Sequence, residues 1–563
     1  EIIKKVFLNN ASNYYLIDKN SKEKLKYSEI LQNAENIASF FKKIGLSKGD
    51  RVAVLLDNSG DAVKIYFALL LSGIVIIPIN KSYPDSQINF ILNNSNAKTI
   101  ICDFQLKIIN NKNINIIYLG NEEIKMDLKG SDHILDIKTL KKMDNGFSLE
   151  DIKLQYHDTF TIVYTSGTSS EPKGVIQSIG NIICNGQIFV ENYSLDSDAR
   201  FYNFLSMAYL GGYYNLLLIP FLAGGSVLLS SPFDASIALS FWKDLEKFKI
   251  NVLWFVPAIL STIMKIDRRK NGAKYIKNNV KYSFIGMDFV RDDLINDYEK
   301  IYGSKLLENY GLTETLFITL DNPSYKGNIL ENIEVKIVND DGKKMPNEDS
   351  GEILIKTPFL MKRYIDSEIS ENLINGWFPT GDLGVIDKNS NLKIVGRKKD
   401  LIIKGGMNIS PSSIEKVIYK LNYINECGAI GIRNDLHGED IIVALSLDDK
   451  QVNDQWKESL INVVKKELSQ NQQPDYYVIL PKLPTTISGK IKKNKIKLWL
   501  ADYLSTLDLK NENKFINFSP KKSDEINDDY FKPSRVVDNI IQATSIKLNN
   551  IVYEKKSQGT DVI

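Results

Sequence analysis

The sequence predicts an α/β chain: a large N-terminal unit of two helix-covered, mostly parallel sheets with a small β subdomain, then a smaller α+β unit. Three observations predict it. Strand-like and helix-like segments alternate through residue 307, short strands with polar turns replace them after Leu320, and a second compact run of strands and helix follows Gly396.

The elements follow in order. "YSEILQNAENIASFFKKIG" has helical spacing, "RVAVLL" reads as a strand, "DAVKIYFALLLSG" as a helix and "IVIIPI" as a buried strand, with "SQINFILNN" and "KTIIC" continuing the alternation. The rhythm returns from Ser240 to Leu307 in "FWKDLEKF", "NVLWFV", "AILSTIMK", "YSFIG", "DDLINDYEKIYG" and "KLLENYG". After Leu320, "EVKIV", "DDGKK" and "GEILIK" are strands and a turn. The helix "PSSIEKVIYKL" and a Lys-rich end belong to the second unit. From Ser505 to Lys532 the composition turns polar and acidic, as in a linker.

Composition limits the function. With 563 residues, 43% of them hydrophobic, the chain is long enough for three or four domains and large cores. A net charge of +2 supplies no global field for nucleic acid or an anionic membrane. Cys102, Cys184 and Cys427 lie far apart, as do His133, His157 and His437, so neither disulfide staples nor a zinc site is expected. A reducing cytoplasm is the default location. The chain opens on Glu1 without a leader-like apolar run, which reads as a missing true N-terminus. Phe201 to Phe233 lacks charge, but Pro220 and the pairs Gly211-Gly212 and Gly224-Gly225 divide it into a buried helix, a turn and the strand "SVLLS" rather than a membrane span.

The stretch "TIVYTSGTSSEPKGVIQS" is the first with chemistry in it. Thr165, Ser166, Thr168, Ser169 and Ser170 offer hydroxyls beside free backbone N–H groups, with Gly167 for flexibility and Lys173 for charge, an inventory suited to polyphosphate. A solvated hairpin loop is the plain alternative. It is not a Walker loop, because Pro172 and Gly174 flank the lysine where that loop needs Gly and a metal-binding hydroxyl.

Four further segments follow: "ENYGLTET" at 308 to 315, "GWFPTGDLG" at 376 to 384, "GRKKDLIIKGGMNISPSSIE" at 396 to 415, and "LPTTISGKIKK" at 483 to 493. Together with "YTSGTSSEPKGV" they resemble the adenylate-forming superfamily of acyl-CoA synthetases, peptide-synthetase adenylation domains and luciferases, in order and in spacing. The resemblance runs from about Ser28 to Leu498. It implies ATP, Mg²⁺ and a carboxylic acid, an acyl-AMP with release of pyrophosphate, and transfer of the acyl group to a phosphopantetheine thiol on CoA or on an acyl or peptidyl carrier protein.

By position, the resemblance assigns the phosphates to Thr165, Ser166, Gly167, Thr168, Ser169 and Lys173. Tyr310, between Asn309 and Gly311, is the aromatic on which adenine stacks. Asp382 and Arg397 meet the ribose, Thr313 the α-phosphate, and Glu314 the Mg²⁺, a hard ion that wants oxygen ligands. Lys490 bridges the carboxylate and the α-phosphate. Lys399 is the hinge about which a mobile C-terminal domain swings, and Lys404, Gly405 and Gly406 line the thiol's approach. Each has a plainer reading: a core tyrosine for Tyr310, a helix-start pair for Thr313 and Glu314, an Asx turn for Asp382, a solvated loop for Lys490.

The implied acid pocket comprises Tyr209, Gly211, Gly212, Ile285, Gly286, Met287, Gly311, Leu316 and Phe317, an apolar set that favours an aryl or fatty acid over an amino acid. The chain departs from the family pattern at Ser170, at Ala208-Tyr209 where an aromatic-His pair is common, and at Met287 where a smaller residue is usual. "FDAS" at 233 to 236 echoes an amino-acid-activating motif in a displaced position. Two readings stay open beside the ligase: an amino-acid-activating adenylation domain, and a non-catalytic adenylate-binding module. The expected organisation is 1–396 as adenylation core, 397–504 as C-terminal lid carrying Lys490, 505–532 as linker, and 533–563 as a helical tail that could begin a carrier domain or pack on its own protein.

Overall fold

A computed structural model of the chain describes residues 1–104, 114–119, 133–135, 147–148, 151, 153–165, 172–267, 271–288, 290–324, 326–434, 437–448, 451–485, 491–504 and 514–518. Two large sheets dominate the N-terminal part. One orders its strands Arg363–Tyr364, Lys173–Ser178, Thr159–Thr165, Val75–Pro78, Arg51–Leu55, Thr99–Cys102, Asn115–Leu119 and His133–Leu135. The other runs Leu316–Leu320, Leu306–Leu312, Tyr282–Gly286, Val252–Phe255, Arg200–Asn203, Ser226–Leu229, Tyr14–Asp18 and Lys24–Lys26. In each, five of seven pairings are parallel and the antiparallel ones sit toward the edges, as the helix–strand alternation predicts.

The helix Gly60–Ser72 belongs to the core that joins the sheets. Ser59 caps it by accepting from the Ala62 N–H, and Gly73 ends it at φ 66°, a left-handed backbone that glycine adopts without a Cβ penalty. Nearly every side chain between is buried, including Lys64, whose ammonium is held by Glu23 at 3.0 Å and Asp61 at 2.9 Å. An apolar helix of this kind has no solvent face, and its side chains share one core with Val52, Ile76 and Val163 of one sheet and Trp254 and Phe284 of the other.

The uncharged stretch from Phe201 folds as expected, except that its helix opens as a π-helix, Gly211–Leu218, before one α-turn and the strand Ser226–Leu229. No helix among the described residues is long and apolar enough to cross a membrane. The π-helix depends on Gly212, where a Cβ would lie 2.1 Å from the Ser206 carbonyl oxygen. Gly212→Ala is therefore expected to cost about 1–3 kcal/mol, read as a lower thermal midpoint.

The small β subdomain is a four-stranded antiparallel sheet, Glu334–Val338, Gly351–Lys356, Phe378–Ile386 and Leu392–Arg397. Past it, Met407–Ile409, Ile402–Lys404, Gly438–Leu447, Tyr476–Ile479 and Phe515–Asn517 form a further sheet, with Ile424–Asn434 also paired to Gly438–Leu447. The last of these strands corrects one expectation. Phe515–Asn517 lies within the stretch read as linker, yet it pairs in parallel with Tyr476–Ile479 and buries Ile516. Its polar neighbours hid a short apolar alternation that the sheet edge captures.

The C-terminal unit rests on the N-terminal one through few, polar contacts. Lys416 reaches Asp292 at 2.5 Å, the Arg291 guanidinium lies 3.8 Å over the Tyr419 ring, and Lys265 donates to Asn425 at 3.2 Å. Interfaces of this composition permit domain motion.

Candidate active site

Parallel strands deliver their C-terminal ends to one side of a sheet, and crevices form there. Both large sheets do so toward the same cavity, of about 1770 Å³. It is lined by Asp57 and Asn80 just past two strands of one sheet, and by Leu205, Ser231, Val256 and Met287 just past four strands of the other. The small sheet contributes Thr380, Gly381, Asp382 and Arg397, and the C-terminal unit Lys399, Thr485, Lys492 and Lys495.

The geometry around Asp382 is specific. Asp382 and Arg397 are cross-strand partners, and the Asp382 carboxylate, 3% exposed, accepts from Arg397 Nε at 3.0 Å and from the Tyr310 hydroxyl at 2.8 Å. Burial, reinforced by the Asp382 charge, raises the Tyr310 phenol far above its ordinary pKa, so it is a donor at every working pH. For Arg397, burial pulls downward, but the Asp382 carboxylate beside it outweighs this and the net shift is upward. The Tyr310 ring is thereby fixed by its own hydroxyl.

Asn309 adds a constraint. The Tyr193 hydroxyl lies 2.8 Å from Asn309 Oδ1 and 2.6 Å from the Asp321 carbonyl oxygen, yet it has one proton to give. With the amide turned over, its NH₂ donates to Tyr193, Tyr193 donates to Asp321, and the nitrogen otherwise left without a partner is satisfied. The amide oxygen then occupies the buried position instead.

The Thr313-Glu314 corner is held from below. Gln177 Nε2 donates to the Thr313 carbonyl at 2.8 Å, and the Met361 N–H to the Glu314 carbonyl at 2.7 Å. Leu316 follows at φ 58°, a left-handed backbone for a branched residue. Glu314 Oε1 accepts from the Tyr364 hydroxyl at 2.9 Å, and burial raises the carboxyl's pKa. Among the described residues it forms no ion pair, and the Arg397 charge offsets less than burial adds. A divalent ion, which takes oxygen ligands, would fit such a carboxylate. Lys173 projects over the Tyr364 ring at 5.2 Å, so Tyr364 links the lysine of the polar loop to Glu314.

Of the residues expected at the site, Thr165, Lys173, Tyr209, Gly211, Gly212, Met287, Asn309, Gly311, Thr313, Glu314, Leu316, Phe317, Asp382, Arg397 and Lys399 line the cavity. Ser166, Gly167, Thr168, Ser169 and Lys490 lie outside the described residues. Their neighbours Thr165, Pro172, Thr485 and Lys492 line the cavity.

One expectation, that Ile285 and Gly286 line the acid pocket, is corrected, and the thiol-approach residues lie elsewhere in this arrangement. Ile285 is fully buried in the other core, beside Ile259 and Leu294, because strand alternation sends it to the opposite face from Phe284. Gly286 pairs with Asn309 inside the sheet, where a Cβ would sit 2.6 Å from the Asn309 carbonyl, so it allows close strand packing instead of contacting an acid. Lys404, Gly405 and Gly406 form a hairpin turn away from the cavity, with φ 58° and 78° at the glycines and the Lys404 ammonium 2.7 Å from both Asp475 oxygens. In this arrangement the C-terminal unit presents its Lys-rich segment to the cavity, not that hairpin.

Behind the site, Glu308 and Asp321 form a carboxylate pair. Burial, then the Asp321 charge, pushes Glu308 up to about 8, and burial raises Asp321 to about 6. The folded chain therefore holds more protons than the unfolded one between roughly pH 4.3 and 8, and stability falls as pH rises across that window. Glu308→Gln is expected to raise the thermal midpoint at pH 8 and to leave it nearly unchanged at pH 4, measured by calorimetry on both proteins.

Sequence comparison supplies the lineage. The family model for AMP-binding enzymes matches residues 7–365, and that for the AMP-binding enzyme C-terminal domain matches residues 413–490. The chain belongs to the AMP-binding enzyme family. It is an adenylate-forming ligase, as its motifs imply. It is 26% identical over 510 residues to a long-chain-fatty-acid–CoA ligase of Bacillus subtilis, covering 84% of this chain and 90% of that one. It is also 26% identical over 501 residues to a naringenin synthase of Pestalotiopsis fici, of which it spans only 18%. The fold matches ATP-bound MatB from Rhodopseudomonas palustris with a TM-score of 0.77 at 23% identity, over 89% of this chain and 99% of that one. It matches the o-succinylbenzoate CoA synthetase of Bacillus subtilis, in complex with its acyl-adenylate, at 0.74 and 23%, over 88% and 97%.

Several contributors carried no signal in the sequence. Tyr364 and Tyr193 sit in unremarkable segments, and only tertiary packing makes the strand residue Tyr364 a partner of Glu314 and Tyr193, at the end of the helix Ile179–Asn192, a partner of Asn309.

Proposed function

We propose that the AMP-binding enzyme described here activates a carboxylic acid with ATP and Mg²⁺ and passes the acyl group to the phosphopantetheine thiol of CoA or a carrier protein. In the first half, a carboxylate oxygen bonds to the α-phosphorus, the bond to the β-phosphate oxygen breaks, and pyrophosphate leaves. In the second, the thiol sulfur bonds to the acyl carbon and AMP leaves.

The reading rests most on the buried Asp382 between Tyr310 and Arg397, open to the cavity that receives Lys399, Lys492 and Lys495. Two carboxylate oxygens retain lone pairs for the ribose hydroxyls beyond those used by Tyr310 and Arg397. Thr165 and Lys173 bracket the loop assigned to the outer phosphates. Mg²⁺ at Glu314 would neutralise phosphate charge, and Lys490 would add a point charge as the two anions meet. The cytoplasm is the expected setting.

The displaced "FDAS" motif argues against amino-acid activation. Asp234 lines the cavity, but its Oδ1 accepts from the Ile237 N–H at 2.9 Å and from Ser236 Oγ at 2.7 Å, capping the helix Ala235–Phe248. The helix cap gives Asp234 a structural role that accounts for it without an α-ammonium. Acid-dependent exchange of pyrophosphate into ATP, over aryl, fatty and amino acids, tests the proposal. Exchange with none of them would leave the non-catalytic binding module standing, and acyl transfer assayed with CoA and with a carrier protein would decide the acceptor.

A further inference from the structure

The acid pocket is walled by aromatic rings. Phe317 stacks on Tyr214 at 5.7 Å and 29° and on Trp254 at 5.7 Å and 23°, and all three line the cavity. A buried polar side chain shares that cavity. Asn215, 5% exposed, lies on the π-helix Gly211–Leu218 and lines the same cavity. Its polar neighbours are occupied: the Tyr214 hydroxyl donates to Asn185 at 2.8 Å, the Tyr213 hydroxyl to Thr161 at 3.0 Å, and Asn203 Nδ2 to the Gly212 carbonyl at 2.8 Å.

The Asn215 amide has no such partner among the described residues. Its polar atoms are not sealed in the core either, so the space they face is the cavity. The buried indole N–H of Trp254 also lacks a partner. A buried amide without a partner is costly, and a structural asparagine would be satisfied by the protein, as Asn185 and Asn203 are.

We propose that Asn215 reads a hydroxyl on the ring of an aromatic acid. This rests on the ligase reading above and names the substrate class for the same pocket. An amide offers both donor and acceptor, a phenolic hydroxyl returns both, and the flat stack of Tyr214, Phe317 and Trp254 suits a ring better than an alkyl chain. An acid without the hydroxyl leaves the amide unpaired once the pocket closes, which a site of this kind discriminates against strongly.

The test is pyrophosphate exchange with matched acids: benzoate against its monohydroxy isomers, cinnamate against 4-hydroxycinnamate, and octanoate. The wild-type chain is expected to favour a hydroxylated aromatic acid over its unsubstituted parent and over octanoate by at least about tenfold in kcat/KM. In Asn215→Leu that ratio should fall toward one. Equal use of parent and hydroxylated acids by the wild-type chain overturns the proposal, as does a ratio that survives in Asn215→Leu. Should the variant not fold, the wild-type ratio decides alone. Exchange with no acid at all overturns the ligase reading itself, and so differs from exchange that ignores the hydroxyl.

Discussion

Lys490→Ala is expected to lower acid-dependent pyrophosphate exchange by about 10²–10³-fold, the scale of losing one charged group aimed at developing negative charge. The cavity already holds the Glu314 and Asp382 carboxylates, and a second carboxylate must approach a triphosphate there. Thr485 and Lys492, on either side of the Lys490 loop, line that cavity, and Thr485 pairs with Ile491 in an isolated bridge that closes the loop's base. Transfer from a chemically prepared acyl-adenylate to the thiol needs no such charge and should persist in the variant. Single-turnover assays of the two half-reactions separate them. Equal loss of both would mean that Lys490 supports the fold of the lid instead of the chemistry.

Lys399→Pro should have the reverse signature. Lys399 occupies the middle of a single 3₁₀ turn, Lys398–Asp400, between the small sheet and the first strand of the C-terminal unit. Proline fixes φ near −65°, within the range of such a turn, so the observed arrangement survives. Rotation of the C-terminal unit does not. The present arrangement shows the Lys-rich segment to the cavity and holds the 404–406 hairpin elsewhere, so adenylation should proceed in the variant while thiol transfer falls by about 10²-fold. A variant that transfers at the wild-type rate would show that the hinge lies at another residue or that no rotation is needed.

Much of this was legible before folding. Tyr310, Asp382, Arg397, Thr313 and Glu314 were expected together from motifs spread over almost a hundred positions; the structure brings the last four to one cavity, while Tyr310 is not among its lining residues and meets it through the hydrogen bond to Asp382. The apolar pocket was legible only in part. Ile285 and Gly286 looked like pocket residues because they precede Met287 in the chain, but a strand alternates its side chains, and membership of a motif does not say which face a residue takes. Asn215 escaped notice for the opposite reason. Beside "GGYY" it looks like one more polar residue in an apolar run, and its distinction is a missing partner, which is a property of its surroundings.

By itself the sequence determined whatever depends on near neighbours along the chain: helix and strand periodicity, the glycines that let backbones close up, and the order of the reactive segments. Only the tertiary structure decided which hydroxyl satisfies Glu314, that Asp234 caps a helix, that Phe515–Asn517 joins a sheet, and that Asn215 is buried without a partner among the described residues. The physical reason is range. Backbone sterics and capping act over a few residues, whereas burial and hydrogen-bond satisfaction are settled by groups that meet across hundreds of positions, after the sheets have packed.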